Sequence, residues 1–427
     1  MKKSVGILFV ALLGFLFILP ISQGASPVVL KFITVAGQGT DGLNTIASMY
    51  HKKYPNRSVE ITVMPTVDSF NTAMSAKLAA GDIPDIIQYQ SGSLTSLYAS
   101  GGNLMDLTET KLMNRVKPGT STFSMYNGKV YALPVDLTVN GVFFNLEAAK
   151  KYGVSPKPPK SFGEFLAICQ KFAEKGLKEP IVMAAKDGSA ITAFNFQYIY
   201  QAIYAKNPKF YVDVLKGERH WNGPEFHGLF ETYRKMKPFI NKDALGLDTA
   251  GAFQRFDTNN AAFLISGSYD IGNIRKGNPD LDMALIPPPW VTDPQSLVSV
   301  SDVDTVIGIS GKTKYPTEAK AFLDLFTTAP AANIYAKSAR SISAIKGTKV
   351  QFDKCLANQL PMLDKGKRIG YFSRQWIPGI KEIMKTSTQE WFAGQNVDTV
   401  LNHLEAEHQR LMNANPDYVK RFIQENQ

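Results

Sequence analysis

Cysteine is almost missing from this chain: two, Cys169 and Cys355, stand among 427 residues. That excludes a disulfide-built scaffold and any cysteine-rich zinc module. Histidine is nearly as scarce, with five. His220 and His227 flank Glu225, while His403 and His408 flank Glu405 and Glu407. Neither group gives the i, i+4 pair of a helical zinc site, so solvated helix histidines are expected. There is no Gly-x-Ser-x-Gly elbow, and Gly37-Gln38-Gly39 falls short of a dinucleotide or phosphate-loop fingerprint. Asp82 and Asp85, and Asp302 and Asp304, form carboxylate pairs. Neighbours on one loop rarely straddle a scissile bond as a glycosidase requires, so catalysis is not the expected role. Long apolar runs are absent after the first one, and no cysteine lies near that run. The formal charge is +10, yet the basic residues are scattered and no run exceeds 365–368 (KGKR). Such a surface favours solubility, and nucleic acid is not an expected partner.

What is present begins with that first apolar run. Lys2 and Lys3 precede an apolar core at 5–19, Pro20 breaks it, and Ser22, Gly24 and Ala25 suit a signal-peptidase site. The run is shorter than the about 20 residues needed to span a bilayer. Residues 1–24 therefore read as an export signal, cut after Gly24 or Ala25. The roughly 400 residues that remain exceed one typical core, which predicts two domains. In an oxidising compartment Cys169 and Cys355 have the option of pairing. Cys169 also shares a helical stripe with Phe165, Phe172 and Ala173, the position of a buried thiol.

Along the chain, residues 28–35 form a near-continuous apolar strand, as in a sheet covered on both faces. A helix follows with Leu43, Ile46, Ala47 and Tyr50 on one face, ended by Pro55. Val59, Ile61 and Val63 alternate as a strand, and Phe70, Ala73, Met74 and Leu78 mark a helix stopping at Gly81. Residues 85–89 (DIIQY) are a third strand. This alternation predicts an α/β sheet with its ligand at the loops after the strand C-termini. Further on, strands are expected at 181–184, 261–265, 283–286 and 305–309. Helices are expected at 224–236, from Pro316, at 377–390 and at 397–412.

The stretch 127–164 carries the most information. It reads as a turn-and-strand entry at 127–134, a strand at 139–144, a helix at 146–152, a Pro-rich link at 156–159 and a capping box on Ser161 and Glu164. This layout resembles the bacterial extracellular solute-binding proteins of family 1, the maltose-type receptors of ABC importers. The loop-to-strand run Gly81-Asp82-Ile83-Pro84-Asp85 is similar to a motif of that family, and Gly267-Ser268-Tyr269 to its Gly-x-Trp. The resemblance covers nearly the whole chain after the export signal. It implies an α/β, type II periplasmic-binding-protein fold, with a discontinuous chain and crossover segments between two lobes. Lobe one would comprise 27–136 and 303–343, and lobe two 139–300 and 344–427. It further implies a monomeric receptor that closes on a small-molecule carbohydrate and docks on a membrane permease, with no cofactor. The missing cysteine near the leader implies a free periplasmic protein rather than a lipid-anchored one.

Sugar recognition needs aromatic faces for the ring's C–H surface and planar polar groups for its hydroxyls. Tyr89, Gln90 and Ser91 follow the third strand, and Asp136 and Thr138 lie at the first crossover. Tyr269 follows the 261–265 strand, Asp302 and Asp304 lie at the return crossover, and Arg374 and Trp376 precede a C-terminal helix. Gln38 and Asn195 complete the expected site. Tyr89, Tyr269 and Trp376 equally suit core positions, whereas Trp221 and Trp290 read as structural. In maltose-type members the position facing Thr138 often carries a carboxylate, and a departure there argues against maltose. The acidic crossover residues also suit a cationic ligand such as a polyamine, held by cation–π contacts.

Overall fold

The computed structural model describes residues 26–35, 39–349 and 352–426. The expected export signal and Gln38 therefore lie outside the described residues. In chain order the strands are β1 (Val28–Val35), β2 (Arg57–Met64), β3 (Ile86–Gln90), a hairpin of β4 (Met125–Tyr126) and β5 (Lys129–Val130), β6 (Leu133–Pro134) and β7 (Asp136–Asn145). Then follow β8 (Ile181–Val182), β9 (Phe263–Gly267), β10 (Met283–Ile286), β11 (Ser299–Val303), β12 (Thr305–Ile309), β13 (Ile342–Ser343) and β14 (Arg368–Ile369).

These strands build two main sheets, and the helices pack around them. One sheet has the order β2-β1-β3-β12-β6, the other β14-β11-β7-β9-β8, with β10 and β13 also on β7. The fold is two-lobed α/β with a discontinuous chain. The backbone passes between the sheets at Val135, at Asp304, and between the helix Ala329–Ala339 and β13. A separate apolar cluster, with Leu30, Phe32, Leu43, Phe322 and Phe326, packs beneath the first sheet. Its helix Thr40–Lys53 lies on Ala329–Ala339 so closely that a Cβ on Gly42 would stand 2.9 Å from the Ser338 Cβ.

Several elements match the patterning residue for residue, among them the helix Pro224–Met236, opened by proline at its first turn. Others are displaced for identifiable reasons. β7 starts at Asp136 rather than 139, because β11 pairs back as far as Val303↔Leu137. The helix expected at 377–390 starts at Ile380. Pro378 disfavours helical backbone at Ile377, and the Ile377 N–H is held instead by the Tyr211 hydroxyl at 3.0 Å. Ser161 caps its helix, accepting from the Glu164 N–H at 3.3 Å. Glu164 does not close the box reciprocally, since its carboxylate takes the Lys160 N–H at 2.9 Å.

Cys169 and Cys355 are both buried and unpaired, so the disulfide option is not taken. His408 corrects the expectation of solvated histidines. It is 2 % exposed, lies 3.2 Å from the Tyr211 hydroxyl and packs on Trp221. Burial lowers its pKa from 6.5 to about 4. The unfolded chain therefore takes up this proton first, and stability falls as pH drops below 6.5, with the full loss reached near 4. Between pH 7 and pH 5 the expected loss from this residue is about 2 kcal/mol. Urea unfolding of wild type and His408→Gln at both pH values checks it; an unchanged pH slope in the variant would refute the assignment.

Candidate functional site

The crossovers bring four charged side chains together. Arg374, in the short turn Phe372–Gln375, donates to the Asp304 carboxylate. It also reaches the Asp304 carbonyl at 2.9 Å and Ser91 Oγ at 3.0 Å. Ser91 in turn donates to the Val303 carbonyl at 2.7 Å. One guanidinium thus ties the end of β3 to the junction of β11 and β12. Its guanidinium carbon lies over the Tyr371 ring, 4.9 Å from the ring centre. The Tyr371 hydroxyl donates to the Thr138 carbonyl at 2.9 Å, extending the network to β7. Gly92, at φ 104, permits this closeness: a Cβ there would stand 2.7 Å from the Arg374 Cβ.

The other two carboxylates are committed to the protein. Asp302 accepts the Val303 N–H at 2.8 Å and the Tyr371 N–H at 3.4 Å, with Arg368 at 3.9 Å. Burial raises its pKa. Asp136 accepts the Thr305 N–H at 2.9 Å. Burial and the charge of Asp304 push its carboxyl up to about 7. Asp302 is also the cross-strand partner of Thr138. A carboxylate does face that threonine, so this position does not weigh against maltose. With Asp304 and Asp302 beside arginines and Asp136 driven toward its neutral form, the crossover is not an anionic trap, which disfavours a polyamine.

Tyr269 is the group left open. It follows β9 in a short turn, Ser268–Asp270, and exposes 49 % of its surface. Yet burial raises its phenol pKa, and the charges of Asp304 and Arg374 act on it. The ring folds back over Gly267, where a Cβ would stand 2.4 Å from it. The half-exposed ring lies near the crossover, where the charges of Asp304 and Arg374 reach it. Gln90, exposed at the end of β3 and paired with Thr305, is a second accessible polar group near the crossover.

Three expected residues lie elsewhere. Tyr89 is 1 % exposed and packs edge-on to Tyr98, with ring centres 5.2 Å apart, inside lobe one. Asn195 donates to Thr388 at 3.0 Å and accepts from Tyr233 at 2.9 Å, in the interior of lobe two. Trp376 is 2 % exposed, donates to the Tyr204 hydroxyl at 2.8 Å and packs against Trp221 and Phe196. These side chains have core partners and no open face, so the ligand-binding expectation for them is corrected. Trp221 and Trp290 are buried in aromatic clusters, as their reading as structural implied.

Sequence reasoning missed Tyr371. The only signal for Tyr371 was the preceding glycine: a Cβ on Gly370 would stand 2.3 Å from the Asp302 carboxylate. A separate cavity of about 990 Å³, lined by Arg275, Lys337, Arg340 and Asp353 among others, contains none of the expected residues. Among the described residues, no cluster of His, Cys, Asp or Glu is arranged to hold a metal ion, and no helix is long and apolar enough to cross a membrane.

Two α/β lobes joined by crossovers, with a half-exposed aromatic ring near them, are the architecture of a solute-binding receptor. Residues 36–333 match the family described as bacterial extracellular solute-binding protein, and the chain belongs to that family. Among curated relatives it is similar to the melibiose/raffinose/stachyose-binding protein MelE of Bacillus subtilis, 22% identical over 82% of this chain and 81% of the relative. It is likewise similar to the multiple sugar-binding protein of Streptococcus mutans, 20% identical over 85% of this chain and 86% of the relative. Among solved structures, the apo-form of RafE from Streptococcus pneumoniae matches with a TM-score of 0.78 at 20% identity, covering 91% of this chain and 99% of that one. At that identity the structural likeness speaks for the fold.

Proposed function

We propose that this protein is an exported receptor that captures a sugar or oligosaccharide in its interlobe cleft and delivers it to the permease of an ABC importer. The observation that carries the reading is the half-exposed ring of Tyr269 near the crossover network, an aromatic group suited to the apolar face of a pyranose. The relatives named for melibiose, raffinose, stachyose and multiple sugars support the carbohydrate class. In this reading lobe one comprises 27–136 with 303–343, and lobe two 139–300 with 344–427. The ligand bridges the lobes and favours the closed form by its extra contacts there. The protein acts as a monomer in the periplasm after cleavage near Gly24, requires no cofactor and leaves the ligand's covalent bonds intact.

Binding of micromolar order corresponds to about −8 kcal/mol, within reach of one or two stacked rings and a set of satisfied hydroxyls. The test is a thermal-shift screen of the mature chain against mono- and oligosaccharides, with spermidine as the cationic control. A saccharide at one hundred times its Kd is expected to stabilise the protein by about 2.7 kcal/mol. A shift with spermidine and none with any saccharide would overturn the carbohydrate reading.

A further inference from the structure

We propose that the last helix, Pro416–Asn426, is a clasp between the lobes: carried by lobe two, it lays Arg421 on Tyr126 of lobe one, and this contact slows the exit of a bound saccharide. The inference rests on the carbohydrate reading above and adds a device that sets how long the ligand stays. Tyr126 belongs to lobe one. It lies in β4, and in the partner strand β5 the Val130 carbonyl accepts the Leu107 N–H at 2.7 Å. Leu107 is part of the apolar cluster beneath the first sheet. Three residues before Tyr126, the Phe123 carbonyl accepts the Gly92 N–H at 2.9 Å, just after β3. The helix is fixed to lobe two instead. Phe422 packs edge-on to Tyr211 with ring centres 5.3 Å apart, and the Tyr418 hydroxyl donates to the Gln375 carbonyl. Tyr211 in turn packs on Trp376 inside that lobe, with ring centres 5.4 Å apart.

Arg421 is where the two sets of contacts meet. Its guanidinium carbon lies 5.9 Å from the centre of the Tyr418 ring on its own helix and 5.5 Å from that of Tyr126. Both lie inside the roughly 6 Å reach of a cation–π contact. Further contacts run along the same stretch of lobe one. Arg368 donates to the Gly119 carbonyl at 3.5 Å, a Cβ on Gly370 would stand 3.8 Å from the Phe123 ring, and Arg374 lies against Gly92. These also share Asp302 or Asp304 with the crossover, so changing them disturbs the site itself. The Arg421 contact on Tyr126 involves neither carboxylate and can be removed alone. The lobes are joined covalently at Val135, at Asp304 and before β13. A pair held together away from those points parts when the lobes rotate open about them. A ligand that bridges the lobes leaves through the open form. The clasp therefore adds to the barrier to release, while entry, which starts from the open form, is left as it was.

The probe is raffinose, replaced by the tightest-binding saccharide of the screen where raffinose itself does not bind. Stopped-flow tryptophan fluorescence on the mature chain reads association and dissociation separately. Arg421→Met keeps the apolar stem and removes the charge. It is expected to speed dissociation about threefold, the size of a partly exposed cation–π contact, with association and melting unchanged. Arg421→Lys keeps a cation over the ring and is expected to release the saccharide at close to the wild-type rate. Tyr126→Leu removes the ring from the other lobe and should speed dissociation as well. Adding Arg421→Met to it should change nothing further, since one contact cannot be lost twice. Wild-type dissociation in Arg421→Met, or independent effects that multiply in the double variant, would overturn the clasp and leave the carbohydrate reading standing. Slower association with dissociation unchanged would overturn it as well, by placing Arg421 in ligand entry. Failure of every saccharide in the screen would remove both.

Discussion

Replacing Tyr269 by alanine is expected to weaken saccharide binding by about a hundredfold while leaving thermal unfolding close to that of wild type. The two halves of this expectation have one cause. With 49 % of its surface open, Tyr269 contributes little to the packing of lobe two, so its loss leaves no large cavity. In the complex the same open surface is what the ligand covers. A well-packed aromatic anchor at the centre of an interface typically carries 2 kcal/mol or more, and about 2.7 kcal/mol is a hundredfold in Kd. Tyr269→Phe keeps the ring and is expected to stay within about fivefold of wild type, since ring area rather than the hydroxyl carries the effect. Calorimetric titration of both variants with the best ligand from the screen decides it. Alanine and wild type binding alike would mean that the ring is not the platform.

Arg374→Met is expected to destabilise the protein by about 3–5 kcal/mol, because it strands Asp304 without its counter-charge. The side chains of this pair are only 14 % and 17 % exposed, so water offers little relief. The guanidinium also serves Ser91 and the Asp304 carbonyl, and its removal loosens the tie between β3 and the β11–β12 junction. The second variant separates charge from packing. Arg374→Met with Asp304→Asn has no buried charge left unpaired, and is expected to recover more than half of the loss, as ion pairs replaced as a unit often do. Denaturant unfolding followed by tryptophan fluorescence measures both. Equal destabilisation of the single and double variants would show that packing, not charge, is at stake.

The crossover chemistry was legible because its residues announce themselves locally. Asp136, Asp302 and Asp304 are charged residues placed where an apolar strand ends or begins, Arg374 precedes a helix, and a shared location was the simplest account of them. Their state was not legible. That Asp302 spends its oxygens on the Val303 and Tyr371 N–H groups depends on a glycine at 370 lying against it, nearly seventy residues away in sequence. The aromatics divide the same way. Tyr89 and Tyr269 both follow or end a strand, yet β3 is covered on both faces through Tyr89, and alternation there carried no information. Tyr269 instead leaves its strand through a short turn that folds the ring back over Gly267.

By itself the sequence determined the alternation of strands and helices, most of their limits, and the class of receptor they build. These depend on the period of apolar residues and on caps, prolines and glycines, which act over a few positions. Only the tertiary structure decided which polar groups are consumed by the hinge and which remain open to a ligand. Hydrogen-bond and ion-pair partners are assigned across tens to hundreds of residues, and a side chain is available for binding only when no such partner has already claimed it.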